Sequence, residues 1–325
     1  MKSHNDIAAV VIGRNEGDRL RACLNSLVGQ VPIVVYVDSG STDGSVAFAK
    51  SVGATVVELD MSIPFTAARA RNAGFWKVLD VGGCDYVQFV DGDCTLQPGW
   101  LEAGREKMLE SRDIAVVYGR TRERHPDASI YNRLCDMEWD TPVGETKSCG
   151  GIALMRTDAV KDVDGFNAAL IAGEEPELCV RMRKKGWRMF RIGAEMALHD
   201  AALTRFSQYW KRTTRGGFAA AEGAAMHGAA PVYHCVVRVI RALVWGVAIP
   251  VFIALLTILI SPWAMLMTLL YPVQVIRMAV RARNSKGRFQ NALLLTIGKF
   301  AEAQGIFKYW WRRLTRGDVR LIEYK

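Results

Sequence analysis

No Cys-x-x-Cys pair occurs among the seven cysteines Cys23, Cys84, Cys94, Cys135, Cys149, Cys179 and Cys235, which are scattered along the chain. This spacing supplies neither a disulfide framework nor a structural zinc site, and it predicts inert thiols in a reducing cytosol. The first residues lack the apolar core of a signal peptide. There is no internal repeat and no low-complexity linker, and 50% hydrophobic content over 325 residues excludes disorder and allows a large core. Charge shows the sharpest gap: from Ala242 to Ile276 there is no Asp, Glu, Lys or Arg. The net charge of +9 is concentrated directly after that gap, because Arg277 to Lys325 carries twelve Lys/Arg against three Asp/Glu while the rest of the chain balances. A basic segment abutting a long apolar one points away from nucleic acid and toward an anionic lipid surface.

The first half alternates strand-like and helix-like stretches, which predicts an α/β fold with a parallel sheet. Apolar runs at Ile7 to Ile12, Ile33 to Val37, Thr55 to Leu59, Tyr86 to Val90 and Ile114 to Tyr118 read as strands. Between them, a stretch with Leu20, Leu24 and Leu27 on one face, then Ser45 to Ser51, Thr66 to Leu79 and Gly99 to Glu110, read as helices. Later, Met189 to Ile192 reads as a strand, Pro176 to Lys185 as a short helix with Pro in its first turn, and Ala202 to Gly223 as a helix. The polar loops each follow a strand, and in open α/β sheets ligands bind at the carboxyl ends of strands. These loops are therefore expected to converge on one cleft.

The most informative of them is Asp91-Gly92-Asp93, at the end of the run Tyr86 to Val90. Side chains at i and i+2 of an extended chain point the same way, so Asp91 and Asp93 can face one divalent cation, with Gly92 open to ligand approach. Hard oxygen donors suit Mg²⁺ or Mn²⁺, ions that complete their shells with substrate phosphates. Alone, the tripeptide is more often a turn.

The series Val11-Ile12-Gly13-Arg14-Asn15-Glu16, Val37-Asp38-Ser39-Gly40-Ser41-Thr42-Asp43-Gly44-Ser45, Ala70-Arg71-Asn72-Ala73-Gly74 and Asp91-Gly92-Asp93 resembles, in order and over roughly residues 6 to 215, the GT-A glycosyltransferases of family 2. The resemblance implies a nucleotide-diphosphate-sugar-binding GT-A fold (a Rossmann-like mixed sheet flanked by helices), a nucleotide-sugar donor, a divalent metal and inversion at the anomeric carbon. It assigns Arg14, Asn15, Glu16, Asp38, Ser39, Gly40, Arg71 and Asn72 to the nucleotide pocket. Asp38 would accept a hydrogen bond from the nucleobase, with a lean toward uracil. Gly92 would line the nucleotide-sugar pocket, and Asp91 would be shared between ribose and metal, with Asp93 a direct ligand and His199 a third. Ala172-Gly173-Glu174-Glu175-Pro176 with Arg181 resembles the acidic motif that carries the catalytic base, and leaves Glu175 or Glu174 in that role because the family's usual aspartate is here a glutamate. Gly150 and Gly151 fall where related enzymes approach the donor sugar or acceptor. Gln208-Tyr209-Trp210-Lys211-Arg212 is similar to the Gln-x-x-Arg-Trp motif of membrane-bound synthases with the order altered, so Trp210 and Arg212 would face the donor. The same stretch also reads as an amphipathic interfacial helix.

The expected organisation is a catalytic domain over 1–200, an interfacial segment over 201–240, a transmembrane or re-entrant hairpin over 241–276 broken near Ser261-Pro262, and a basic tail over 277–325. The arginines on both sides of the apolar stretch favour the cytoplasmic side for both ends. The function expected is transfer of a sugar, in cell-envelope or exopolysaccharide assembly, to a lipid-linked or glycan acceptor at the cytoplasmic membrane, with the catalytic domain facing the cytosol. A sugar nucleotidyltransferase is the neighbouring alternative, but it needs a glycine-rich basic loop that is absent near Ile12. A non-catalytic membrane scaffold is the other, and it would tolerate loss of carboxylates that are all present.

Overall fold

The computed structural model describes residues 4–282 and 286–315. The parts of the basic tail at 283–285 and 316–325 lie outside them. The chain falls into two compact units, one of residues 1–126 and 135–202, the other of 127–134 and 203–325, and the division passes through the helix Ile130–Glu138.

The first unit is built on a nine-stranded mixed sheet. Its parallel half contains β1 (Ile7–Gly13), β2 (Ile33–Asp38), β3 (Thr55–Glu58) and β4 (Tyr86–Asp91), in the order β3-β2-β1-β4. Helices α1 (Asp18–Asn25), α2 (Ser45–Ser51) and α3 (Ala67–Asp80) make the connections. β1 is apolar at every position because both of its faces are covered. Ile7, Ala9 and Val11 enter one core layer with Leu20, Leu24 and Trp100, while Ala8, Val10 and Ile12 enter the other with Phe75 and Phe89. Gly74 lets α3 lie against β1 and β2, since a Cβ there would stand 2.3 Å from Val10 Cγ1.

The sheet departs from an all-parallel arrangement beyond β4. After β5 (Cys94–Leu96), α4 (Trp100–Leu109), β6 (Ile114–Glu123), α5 (Ile130–Glu138) and β7 (Gly144–Thr146), the short strand β8 (Ala153–Arg156) inserts antiparallel between β4 and β6. Its Ala-Leu-Met sequence carries no strand preference, and four residues are too few for periodicity to declare it. Helices α6 (Thr157–Asp162) and α7 (Glu174–Lys184) follow, then β9 (Arg188–His199), which pairs in parallel with β6 and antiparallel with β5 and β7. β6 runs about twice as far, and β9 about three times as far, as their apolar runs predict. That extension makes His199 the last residue of a strand, opposite Cys94 and Glu123.

The second unit is helical. Helix α8 (Phe206–His227) packs on the 28-residue α12 (Arg288–Thr315) so closely that a Cβ on Gly305 would lie 2.0 Å from the Thr214 carbonyl oxygen, and one on Gly217 2.1 Å from that of Glu302. Tyr209 donates its hydroxyl to the Leu294 carbonyl at 2.5 Å. Between them, α9 (Val236–Leu243) continues through one π-helical turn, Val244–Ala248, into α10 (Ile249–Leu259). A second arm begins at Pro262 as a 3₁₀ helix, Pro262–Leu269, and continues as α11 (Leu270–Arg281). These arms, Val236–Leu259 and Pro262–Arg281, are the two candidate membrane spans among the described residues.

In the sheet core, Trp100 Nε1 donates to Gln88 Oε1 at 2.7 Å, and both side chains are fully buried. Trp100→Phe would preserve most of the packing but leave that amide oxygen without its donor. The expected loss is about 1–3 kcal/mol of unfolding free energy, read as a lower urea midpoint with an unchanged slope for the detergent-solubilised protein.

Candidate active site

Four strand ends and one helix start deliver polar groups to one edge of the sheet. The loop after β1 and the loop after β2 are tied together: Ser39 N–H donates to the Gly13 carbonyl at 3.1 Å, Asn15 N–H to Ser41 Oγ at 2.9 Å, Thr42 N–H to Asn15 Oδ1 at 2.7 Å, and Gly17 N–H to Asp43 Oδ2 at 2.9 Å. Asn15 adopts φ 54°, a conformation Asn tolerates better than most residues. Asp43 is held below its ordinary pKa by the Ser45 hydroxyl first, together with the backbone N–H groups of Ser45 and Gly17.

Asp38 is buried at the root of this pair of loops. Tyr36 donates its hydroxyl to Oδ1 at 2.8 Å, and the N–H groups of Gly40 and Ser41 donate to Oδ2 at 2.9 and 2.8 Å. Burial, reinforced by Asp38, pushes the Tyr36 hydroxyl pKa upward and keeps it a donor. Asp38 thus closes its own turn with a full set of local bonds, and Gly40 takes φ 82° to make that turn. Ser39 Oγ is buried without a partner among the described residues. Glu16 is bonded to Arg19 at 2.6 Å, and its stem lies across Gly13 and Gly92, whose added Cβ atoms would each meet Glu16 Cγ at 3.3 Å. The smallness of Gly92 therefore admits Glu16 and the Ile12 carbonyl, which would be 3.1 Å from a Cβ at position 92. Arg14 is exposed on the same loop.

The two aspartates of Asp91-Gly92-Asp93 have different partners. β4 ends at Asp91, and a turn at Gly92-Asp93 follows it. Asp93 Oδ2 lies 3.3 Å from His199 Nε2, and the imidazole is stacked on Trp139 with ring centroids 4.6 Å apart and planes 15° apart. Cys94 completes a group whose ligand atoms all lie within 4.8 Å of one another. Burial, then Asp93 and Asp91, raise the Cys94 pKa well above the usual thiol range, so it stays a neutral thiol. Asp91 turns instead to Arg71, whose Nη2 donates to Asp91 Oδ1 at 2.8 Å.

Arg71 is the hub of the site. It is 3% exposed, and Nη1 reaches Glu174 Oε1 at 2.8 Å and Glu175 Oε1 at 3.0 Å while Nη2 holds Asp91. Nε makes no bond among the described residues. Helix α7 begins at Glu174, two residues before the Pro176 start read from the sequence, with Gly173 at φ 80° as its cap. Both glutamates thereby fall in the first helical turn, near the positive end of the helix dipole. Burial first, and Glu174 second, raise Glu175 from 4.5 to about 7 against the opposing pull of Arg71. Gly151 closes over this cluster: a Cβ there would stand 2.5 Å from Arg71 Nη2, 2.9 Å from Asp91 Oδ2 and 3.2 Å from Glu175 Oε1. Gly150 has open space at the same position.

Other candidates take different positions. Asn72 does not point into this cluster. Its amide clamps the backbone of Phe166, with Nδ2 donating to the carbonyl at 2.7 Å and Oδ1 accepting from N–H at 2.8 Å, so it fixes the loop that leads to α7. Trp210 and Arg212 lie on α8 in the helical unit, where Trp210 Nε1 donates to Gln304 Oε1 at 2.8 Å. Trp139 and Tyr36 escaped the sequence reading. Tyr36, two residues before Asp38 on the same strand, was legible in principle by alternation. Trp139, remote in sequence from His199, was not.

Replacing Arg71 with Met would strand three carboxylates around an apolar stem. The expected cost is about 3–5 kcal/mol of stability at pH 8. It shrinks at pH 5, where Glu175 is protonated, a difference read by thermal unfolding of both proteins at the two pH values.

Residues 8–164 match the family described as Glycosyl transferase family 2. The chain is 28% identical over 218 residues to the pre-mycofactocin glycosyltransferase of Mycobacterium tuberculosis, a stretch covering 62% of this chain and 42% of that protein. It thus spans less than half the length of that relative. It is 24% identical over 224 residues to the glycosyltransferase AglE of Haloferax volcanii, covering 65% of this chain and 71% of that one. Among solved structures, the mannosyltransferase PcManGT from Pyrobaculum calidifontis, in complex with GDP-Man and Mn²⁺, superposes with a TM-score of 0.64 at 16% identity, covering 95% of this chain and 88% of its own.

Proposed function

We propose that this chain, which matches Glycosyl transferase family 2 over residues 8–164 and has the GT-A fold, transfers a sugar, with inversion, from a nucleoside diphosphate to a hydroxyl of a lipid-linked or glycan acceptor at a membrane. The observation that carries the reading is Glu175, a buried carboxylate raised to about 7 and held in place by Arg71 beside Asp91. A base of that pKa is about half ionised at neutral pH and basic enough to take a proton from an acceptor hydroxyl as it attacks. Glu174 is the less suitable of the pair, since its carboxylate is the nearer partner of the Arg71 guanidinium. Arg71 positions both and offsets their charge. The linked loops after β1 and β2, with Asp38 at their root, are the proposed seat of the nucleoside, and the open space at Gly150 leaves room for the sugar.

The donor set beside this base is one carboxylate oxygen and one imidazole nitrogen, Asp93 and His199, with the ring held by Trp139. That chemistry suits Mn²⁺ or Mg²⁺, and Asp93 and His199 would hold such an ion, which when bound supplies charge neutralisation to a departing diphosphate. The nucleobase is open, because the similar PcManGT carries GDP-Man rather than a uridine nucleotide. The basic, apolar helical unit supports action at a membrane surface, proposed to be the cytosolic face of the cytoplasmic membrane, and fits a role in cell-envelope or exopolysaccharide assembly.

The test is release of nucleoside diphosphate from a panel of UDP- and GDP-sugars, with membrane lipid extract as acceptor source and with Mn²⁺, Mg²⁺ or chelator. Asp93→Asn is expected to lower turnover by about 100-fold or more with an unchanged melting temperature. Glu175→Gln is expected to keep donor binding and lose transfer, and the opposite ranking of Glu175→Gln and Glu174→Gln would move the base to Glu174. The pH profile of kcat/KM should rise through about 7 as Glu175 ionises. Folding stability should move the other way. A carboxyl with a folded pKa above its unfolded 4.5 contributes stability in full below 4.5, and that contribution is lost as pH rises through about 7.

A further inference from the structure

The two apolar arms do not stand free over their whole length. At the level of Trp245 and Gly246 they are tied to each other and to α12: Tyr271 donates its hydroxyl to the Trp245 carbonyl at 2.6 Å, and a Cβ on Gly246 would lie 2.5 Å from the Lys299 carbonyl oxygen and 2.9 Å from Ala303 Cβ. Beyond that tie, Gly246 to Ile260 at about 1.5 Å per residue reaches about 21 Å. The returning 3₁₀ helix Pro262–Leu269, at about 2.0 Å per residue, covers about 16 Å. The free prong is thus about 20 Å long, against about 30 Å for the hydrocarbon core of a bilayer.

Its tip is uncharged and mostly apolar. Ile258, Leu259, Ile260 and Trp263 are each 74–78% exposed, and no charged residue lies between Ala242 and Ile276. The tip's hydroxyls are used locally: Thr257 donates to the Ile253 carbonyl at 2.8 Å, Thr268 donates to that of Met265 at 2.8 Å, and Ser261 Oγ accepts from Trp263 N–H at 3.3 Å. The turn's backbone is bonded too, with Ile260 and Ser261 N–H both donating to the Leu256 carbonyl at 3.0 Å and Ala264 N–H to that of Ser261 at 3.0 Å. A turn that emerged into water would need none of this, whereas one inside hydrocarbon requires it. At the other end of the prong, Arg238, Arg241, Arg277 and Arg281 are exposed, and α12 ends in exposed Phe307, Trp310 and Trp311 beside Lys308, Arg312 and Arg313. Aromatic residues with a cationic rim match an anionic headgroup layer.

We propose that residues 247–270 form a re-entrant prong that enters one face of an anionic bilayer and turns back inside the hydrocarbon without reaching the opposite surface. The partner is the lipid bilayer, and both ends of the prong stay on one side. This rests on the membrane part of the proposed function and is independent of sugar transfer.

The experiment uses the full chain in sealed vesicles containing anionic phospholipid. Half-buried Cys84 and Cys235 are replaced by Ser, the other five cysteines being buried, and a single reporter is added as Ser261→Cys or, on the rim, Lys308→Cys. A membrane-impermeant maleimide is supplied outside or trapped inside. The expected result is labelling of the Lys308→Cys protein from one side, with no labelling of the Ser261→Cys protein from either side until SDS is added. Labelling of Ser261→Cys only from the side opposite Lys308→Cys would overturn the proposal in favour of two full spans. Labelling of both reporters from the same side, or failure of the protein to float with vesicles, as for a prong covered by a second copy, would overturn the membrane reading itself. Sugar-nucleotide turnover by the same proteins, measured separately, distinguishes that failure from failure of the catalytic reading.

Discussion

One buried guanidinium organises the catalytic unit. Arg71 comes from α3, Asp91 from the end of β4, and Glu174 and Glu175 from the start of α7, and these parts of the chain meet in an ion cluster in which Arg71 and both glutamates are buried and Asp91 is partly exposed. Burying such charges is expensive, and the cost is offset only when the partners are close and well aligned. Burial first, and the neighbouring charge of Glu174 second, raise the Glu175 pKa against the pull of Arg71. The same withdrawal from water that disfavours ionisation of Glu175 gives it basicity suited to proton abstraction. The cost of burying the cluster and the chemistry proposed for it therefore have one origin.

The surrounding structure holds this arrangement with few alternatives. Asn72, next to Arg71, clamps the Phe166 backbone from both ends of its amide and so sets the path into α7. Gly165, at φ 69°, lies so close that a Cβ there would stand 2.6 Å from Asn72 Oδ1. Gly151 covers the cluster from the other side, where any side chain would collide with Arg71. Adjacent residues of one motif thus divide the work: Arg71 holds charge, Asn72 holds backbone, and Gly74 lets the helix carrying both sit against the sheet. A motif spaced over four residues has its pattern because one helix turn faces three different neighbours.

Much of this was legible in the sequence where a single physical rule dominates. The central strands are almost continuously apolar because they are covered on both faces, and their ends or the loops that follow them are marked by Asn15, Asp38 and Asp91. The acidic start of α7 was also visible, though two residues later than it occurs, because Pro176 suggests a first turn and Gly173 gives no side-chain sign that it is already the cap. Less was legible where partners are distant in sequence. β8 is too short and too helix-like in composition to stand out, so the mixed sheet follows from the family resemblance and not from the residue pattern, and the position of Gly151 follows from neither. The different partners of Asp91 and Asp93 come from segments remote in sequence, Arg71 and His199, and the stacking of Trp139 on His199 depends on the extension of β9 past its apolar run. The nature of a contact between two segments is not written in either segment alone.

The site and the prong answer the same constraint, that a polar group withdrawn from water needs another partner, in opposite ways. In the catalytic unit the buried groups are charged and their partners come from distant segments, which leaves residual imbalance available for chemistry. In the prong every partner lies within a few residues: Thr257 bonds back four positions, Thr268 three, and Ser261 two positions ahead. Local satisfaction leaves no imbalance and demands nothing from neighbouring helices, so the segment can present only hydrocarbon to its surroundings. Its mixture of α, π and 3₁₀ turns has the same logic, since each keeps backbone bonds inside the segment while Pro250, Pro262 and Pro272 remove donors from it. Replacing Ser261 by a residue without a side-chain acceptor would take from Trp263 N–H the partner it has at the tip, a loss that the proposed hydrocarbon setting makes costly. Within the proposed prong, the one polar residue at the turn is accounted for by the backbone donor it serves.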